Sequence, residues 1–296
     1  MKILKIIVAF SIILFVTACS TTSYKPLNVS IPDIHKSAEI DILVKQHEIN
    51  KDFVVSTGGQ GFGLIGSLID SGVNRSRAED AEKLVANLRD SMIDYDFDAE
   101  VQRVFEKTFS ENTNKIELAE AKVIKTVEEL QKNARESKSA LVITMPTSYR
   151  ISHDSKSIIV DFHANIFPKN KEIYQQLTNQ NLQSYDVEKL KLKDSIYRNV
   201  LIVQKKLPHS EGISEVRALE KWAANDGALV KEVLTQCITE GSKLIIDDLS
   251  NFQEGDEYPN TKITSRLGTE LNGVILYEDR TKQVIRLKTG ASYAYF

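Results

Sequence analysis

A short apolar run near the first residue divides the chain and confines any globular fold to the residues after it. Lys2 and Lys5 precede the run from Ile6 to Val16, which is apolar except at Ser11. At about 1.5 Å per residue, a helix of this length spans only about half of a ~30 Å hydrocarbon core. A charged start, a short apolar middle and a small-residue end are typical of a secretory signal peptide. We therefore expect an exported protein whose fold begins after this segment.

The run ends on Val16-Thr17-Ala18-Cys19, where an aliphatic residue and two small residues precede a cysteine. This ending resembles the lipobox of bacterial lipoproteins. The resemblance implies that Cys19 carries a thioether-linked diacylglycerol, that residues 1–18 are removed and that the new amino terminus is acylated. A thiol is needed because its sulfur is the nucleophile that accepts the lipid. The residue after the cysteine is Ser20 and not aspartate. In enteric-type bacteria this resemblance implies sorting of the lipoprotein to the outer membrane, with the domain facing the periplasm.

The rest of the chain is divided by composition. Residues 20–32 are rich in Ser and Thr, contain two prolines and lack periodicity, which favours a flexible tether. We expect a signal peptide over 1–18, a lipidated N-terminus and tether over 19–37, and a periplasmic domain over 38–296. Two subdomains divided near 170–195 are the alternative for that domain. For the N-terminus, the alternatives are an ordinary signal peptide with a chance cysteine and an uncleaved anchor.

Charge and cysteine content exclude several classes of partner and chemistry. Of the 38 basic residues, cleavage removes two lysines, which leaves 36 basic against 41 acidic residues and a net charge of −5. No overall basic excess attracts nucleic acid or anionic lipid. The chain has two cysteines, so lipidation of Cys19 leaves Cys237 unpaired. Cys237 shares a helical stripe with Val230 and Val233, and a free cysteine packs there as a small hydrophobic residue.

Hydrophobic periodicity predicts both strands and helices. The predicted strands cover 38–46, 52–56, 140–146, 157–167, 195–205, 273–277 and 284–287, with a terminal strand at the end of the chain. The predicted helices cover 75–92, 98–109 (with Asp98 as N-cap), 120–135 and 214–250, the last with breaks near Asn225 and Gly241. This mixture predicts an α+β fold: a mixed, largely antiparallel sheet packed against helices.

A repeat of small residues is the least ordinary feature of the mature chain. Gly59, Gly63, Ser67 and Ser71 recur every four residues, so a helix would carry them as one smooth stripe that another helix can approach closely. The stripe predicts either an internal helix packed on the sheet or a contact with a partner, another copy or the membrane surface. The overlapping GxGxxG over 61–66 is not followed by a βαβ unit, which argues against a nucleotide site.

No residue pattern specifies a metal site or a catalytic centre. The histidines are scattered without a metal-binding spacing: His35, His47, His153, His163 and His209. A GxSxG nucleophile motif is absent, and the alternating acids of residues 94–100 lack the glycine of an EF-hand. His163 and Asp161 alternate on one predicted strand, where a solvent-facing pair is the preferred interpretation. We expect no metal and no cofactor beyond the lipid on Cys19.

These observations favour an outer-membrane lipoprotein whose periplasmic domain is a non-catalytic binding or assembly module of the cell envelope. Its partners would be the membrane, through the lipid anchor, and another envelope protein or a second copy, without nucleic acid or nucleotide. One alternative is an envelope hydrolase acting on cell-wall or lipid substrates through converging histidine and carboxylate groups. Another is a component of an oligomeric membrane-associated ring that uses the stripe over 59–71.

Overall fold

The structure, a computed structural model, describes residues 24–52, 79, 83–111, 116–180, 182, 184–251, 261–288 and 290–296. Its strands are β1 (Ser37–Leu43), β2 (Asn50–Lys51), β3 (Glu117–Ile124), β4 (Leu141–Ile151), β5 (Ser157–Pro168), β6 (Tyr197–Lys206), β7 (Thr261–Thr264), β8 (Glu270–Glu278), β9 (Gln283–Leu287) and β10 (Ser292–Tyr295). Its helices are α1 (described over residues 83–90), α2 (Phe97–Glu111), α3 (Val127–Glu136), α4 (Lys171–Thr178) and α5 (Glu215–Asn251).

All ten strands belong to one mixed sheet, in the order β3-β1-β4-β5-β6-β10-β9-β8-β7, with β2 beside the end of β4. Five of the nine pairings among the described residues are antiparallel, and β1 with β3, β1 with β4, β2 with β4 and β6 with β10 are parallel. The predicted α+β class with a mixed sheet is confirmed. Residues 170–195 connect β5 to β6, and these two strands are paired neighbours in the same sheet.

Helices α2 and α5 pack on one face of the sheet, and residues of α1 and α4 also belong to this main core. Phe162 of β5 lies at its centre, with its ring centroid 5.8 Å from that of Phe105 on α2. Gly241 of α5 lies so close that an added Cβ would be 2.3 Å from the Phe162 ring. The predicted break at Gly241 is therefore wrong: the glycine lets the helix approach the sheet. A hydrogen bond of 3.0 Å between Thr108 and Ser242 joins α2 to α5.

The predicted break near Asn225 is confirmed. Ala224 leaves the helical region with a ψ of 147°, and Asn225, Asp226 and Gly227 all have positive φ angles. Asn, Asp and Gly tolerate this left-handed region best, so the sequence allows the chain to turn here between two helical halves. The first half is fixed by Trp222, whose buried indole donates a 2.9 Å hydrogen bond to the carbonyl of Ser155.

Two helix boundaries differ from the sequence predictions. The segment over 120–135 begins as strand β3, and α3 starts only after Thr126, which forms a reciprocal capping box with Glu129. Strand pairing with β1 outweighs the helix propensity of residues 120–124. At α2, Asp96 instead of Asp98 accepts the capping hydrogen bond, at 2.9 Å from the Ala99 amide. Asp98 forms an ion pair with Lys125.

On the other face of the sheet, the described residues of α3 pack beside β1, β3, β4 and the end of β5. Asp41 of β1 is buried there, and its carboxylate accepts a 2.8 Å hydrogen bond from Asn133 of α3. Burial raises the pKa of Asp41 to about 6, against the opposing effect of the Asn133 hydrogen bond. The folded state therefore binds a proton at Asp41 more tightly than the unfolded chain does.

Replacement of Asp41 by asparagine should remove a pH dependence of stability. The wild-type contribution is fully present below about pH 4 and is lost as the pH rises through about 6, because the raised pKa belongs to the folded state. We expect Asp41→Asn to match the wild type near pH 4 and to exceed it by about 3 kcal/mol at pH 8. Urea unfolding at the two pH values measures this, with Asp247→Asn, an exposed aspartate on α5, as control. A difference that does not change with pH would contradict the prediction.

Candidate functional site

Asp248, near the end of α5, has a largely buried carboxylate that accepts hydrogen bonds from three other parts of the fold. Asp248 Oδ1 accepts hydrogen bonds from Tyr24 Oη at 2.9 Å and from Arg286 Nη2 of β9 at 2.7 Å. Its Oδ2 accepts from Tyr197 Oη at 2.7 Å and Asn199 Nδ2 at 3.0 Å, both on β6. We call these five residues the N-terminal clamp, because Asp248 and Arg286 bind Tyr24, the first described residue of the chain.

The charged and polar groups of the clamp are buried and paired with one another, which is typical of a structural role. The side chains of Arg286 and Asp248 are only 3% and 13% exposed, so the ion pair lies largely outside bulk water. The Arg286 guanidinium also lies 3.8 Å from the centroid of the Tyr24 ring, within cation–π distance. Burial, followed by the charge of Asp248, raises the pKa of Tyr197 well above its ordinary value, so the phenol stays protonated and donates. Four donors fill the carboxylate's acceptor positions, which leaves it unsuited to act as a general base.

Backbone contacts bind the same segment to the sheet. Lys25 exchanges backbone hydrogen bonds of 2.9 and 2.8 Å with Arg198, and its ammonium group donates to the carbonyl of Ser195. Leu27 is buried in the core at 3% exposure. Gly290, with a φ of +88°, lets the chain before β10 pass Tyr24 so closely that a Cβ would lie 2.3 Å from the tyrosine's Cβ. The described segment from Tyr24 to Leu27 is therefore part of the folded domain.

Over residues 24–37, the described part of the predicted tether (19–37), this arrangement differs from a flexible linker. Tyr24 to Leu27 contact β6 and the core, Asp33–His35 forms a short 3-10 helix, and β1 begins at Ser37. Proline and serine content suggested flexibility, but the clamp and the buried leucine bind this stretch. Cys19 lies five residues before Tyr24 and is outside the described residues, as are Gly59, Gly63, Ser67, Ser71 and the GxGxxG segment.

The sheet face beyond α3 carries a second polar network. Asp161 of β5 forms an ion pair with Arg150 of β4 and accepts a hydrogen bond from Ser148 at 3.1 Å. Arg150 Nε also lies 2.8 Å from Asp52 Oδ2. Asp161 is only 7% exposed. The expected solvent-facing pair of His163 and Asp161 is therefore wrong, because Asp161 is bound to the neighbouring strand.

The histidines considered for a hydrolase do not converge. His153 lies exposed in the turn between β4 and β5, and His209 lies exposed in the turn after β6. His163 is half-buried in the middle of β5, and burial lowers its pKa, so its imidazole is neutral at pH 7. None of the three lines the two surface cavities of about 230 and 280 Å³ that the described residues form.

The cavities that the described residues form include two at the surface. One of about 230 Å³ lies beside α1 and is lined in part by His47, Arg89, Tyr95 and Tyr149. Arg89 bridges its wall by donating to the carbonyl of Ile49 at 2.9 Å, and burial raises the pKa of both tyrosines to about 12. The other, of about 280 Å³, lies among charged side chains of α3 and residues 186–189. Both fall below the usual size of a small-molecule site.

The predicted role of Cys237 is confirmed. Its side chain is 1% exposed within the core, and burial raises the pKa of the thiol to about 12. A thiol with such a pKa is almost fully protonated at pH 7 and is a poor nucleophile.

The described residues show neither a metal-ligand cluster nor a membrane-spanning helix. Across the described ranges, no group of three or more His, Cys, Asp or Glu side chains could hold a metal ion. In the same part of the chain, no helix combines the length and apolarity needed to cross a bilayer.

Comparison with known proteins gives no family. No protein-family profile matches the chain, and no curated protein or solved structure is significantly similar to it. The function therefore rests on the residues themselves.

The sequence patterns did not predict the clamp, although one signal for it was present. Asp248 lies three residues after Ile245 and beside Leu249, so helical periodicity places a charge on the buried stripe of α5.

Proposed function

We propose that this chain is a bacterial outer-membrane lipoprotein whose periplasmic domain is a non-catalytic binding or assembly module. The observation that carries the proposal is the position of the clamp. Tyr24 is bound into the domain only five residues after Cys19, the cysteine of the lipobox-like ending. A lipid on Cys19 would then hold the domain directly at the membrane surface.

The chemistry of the described polar groups supports binding over catalysis. Both carboxylate oxygens of Asp248 and Oδ2 of Asp161 accept from arginine and hydroxyl donors, and His153, His163 and His209 lie at separate places on the fold. Groups arranged for catalysis converge on a cavity with perturbed pKa values suited to proton transfer. Here the largest perturbations raise the pKa of buried tyrosines and of Cys237, which stabilises their neutral forms.

The small-residue stripe is the candidate contact for a partner in the envelope. If it packs against another protein, a bulky side chain should prevent close approach. We expect Gly63→Leu or Ser67→Leu to lose the partner recovered by chemical crosslinking in whole cells, with folding unchanged by circular dichroism. Ala99→Leu, a small-to-bulky change at an exposed position on α2, is the matched control and should retain it.

Each outcome separates the contact types. Retained crosslinks in both folded stripe variants would reject the stripe as the contact. Crosslinks only between copies of this chain, with ring-sized assemblies in light scattering, would favour the oligomeric alternative. A monomer at high concentration would reject that alternative.

A further inference from the structure

The N-terminal segment lies directly beside an exposed basic turn. The ammonium group of Lys25 donates to the carbonyl of Ser195. Ser195 in turn donates to the carbonyl of Leu192 from its amide at 3.2 Å and from its hydroxyl at 2.7 Å. These bonds join the first described residues to the 3-10 turn Leu192–Asp194. We call Lys191, Leu192 and Lys193 the lysine turn.

The lysine turn presents positive charge and one apolar side chain to solvent. Lys191 and Lys193 are exposed, and Leu192 between them is 36% exposed. Neither lysine forms an ion pair with a described residue, whereas Lys189 pairs with Asp186 at 2.9 Å. The acid within the turn, Asp194, is only 4% exposed and points into the protein. The outer surface of the turn is therefore basic on a domain whose overall charge is negative.

Covalent geometry places this turn close to the anchor. However residues 19–23 are arranged, five residues span at most about 17 Å. A lipid on Cys19 therefore holds Tyr24 near the phospholipid headgroups, and the lysine turn lies on the Ser195 side of the same segment. An anionic surface attracts such a turn and repels the acidic remainder of the domain, which fixes one orientation.

We propose that the lysine turn is a membrane-docking surface that binds anionic phospholipid headgroups and orients the domain on the bilayer. This inference rests on the proposed lipid anchor. The two lysines supply the electrostatic attraction, and Leu192 supplies an apolar contact at the headgroup boundary. Lys25 is not a lipid contact, because its ammonium group holds the turn to the N-terminal segment.

Amine labelling of the lipidated full chain tests the surface. The protein is reconstituted into vesicles of phosphatidylcholine alone or of phosphatidylcholine with phosphatidylglycerol, and lysine acetylation rates are measured by mass spectrometry. We expect Lys191 and Lys193 to react about fivefold more slowly on the anionic vesicles, the factor for about 1 kcal/mol per basic side chain at such a surface. The difference should disappear in 1 M salt, where the Debye length is about 3 Å. Lys262, exposed on β7 four strands away from β6, should react equally on both.

The outcomes distinguish the docking surface from the anchor. Equal rates at the lysine turn, with the lipidated chain pelleting with both vesicles and Cys19→Ala remaining in solution, would reject the docking surface and leave the anchor intact. Equal slowing at Lys262 would also reject it, because the contact would lack orientation. If the wild-type chain does not pellet, both the anchor and the docking surface are wrong.

Discussion

Asp248→Asn is expected to lower the free energy of unfolding by about 3–5 kcal/mol, because it removes the negative charge that Asp248 places 2.7 Å from the buried Arg286 guanidinium. Arg286 is 3% exposed, so water cannot replace the lost carboxylate. The asparagine amide would also place a donor against either Tyr24 and Arg286 or Tyr197 and Asn199, all of which donate to Asp248. Urea-induced unfolding followed by circular dichroism measures the loss.

The neighbouring aspartate is a matched control. Asp247 is exposed on the same helix, and Asp247→Asn should change the free energy of unfolding by no more than about 0.5 kcal/mol. The double variant Asp248→Leu with Arg286→Met removes both charges together and should be more stable than Asp248→Asn. Equal stability of Asp248→Asn and Asp247→Asn would contradict the role of the clamp.

The same variant should release the N-terminal segment before the rest of the domain unfolds. Chymotrypsin cleaves after tyrosine, and the Tyr24–Lys25 bond is protected in the native protein by the backbone hydrogen bonds of Lys25 to Arg198 and by the hydrogen bond of Tyr24 to Asp248. Loss of the Asp248 contacts to Tyr24 should accelerate chymotryptic cleavage after Tyr24 in native buffer. Local opening of this kind follows the stability of the segment itself.

Much of the sheet and the main core could be predicted from local patterns. The alternation in β4, β5 and β6 and the helical stripe around Cys237 are signals carried by neighbouring residues, and the structure places all of them in the core. Residues 120–124 were mistaken for a helix because their propensity is helical and their strand state depends on pairing with β1, which is distant in sequence. The insertion of β10 between β6 and β9 likewise depends on non-local pairing.

The clamp could not be predicted as a unit because it has no local signature. Tyr24 and Asp248 are separated by 224 positions, and Arg286 lies on another strand. Each residue alone has an ordinary interpretation: a tyrosine in a polar linker, an acid in a helix and a basic residue in a hairpin strand. Only the fold shows that the segment after the predicted lipidation site is bound in place.

Cys19→Ala is expected to abolish both the incorporation of labelled fatty acid and the recovery of the protein with the membrane fraction. The thiol is the nucleophile that would accept the lipid, so no other side chain at this position can replace it. Several acyl chains, at about 0.8 kcal/mol for each buried CH₂, make such an anchor effectively permanent. Metabolic labelling followed by membrane fractionation measures both effects. Label or membrane recovery retained by Cys19→Ala would reject the lipoprotein assignment.

The second cysteine supplies the control, since the chain has only these two. Cys237 is buried in the core, so Cys237→Ala should keep the lipid label and the membrane fractionation while losing about 1 kcal/mol of stability through the small cavity it creates. Cys19→Ala should show the opposite pattern: the label is lost, but the domain keeps its unfolding midpoint, because the clamp begins at Tyr24 and does not depend on residue 19. Removal of the Cys19 sulfur would thus affect membrane attachment alone, and removal of the Cys237 sulfur would affect stability alone.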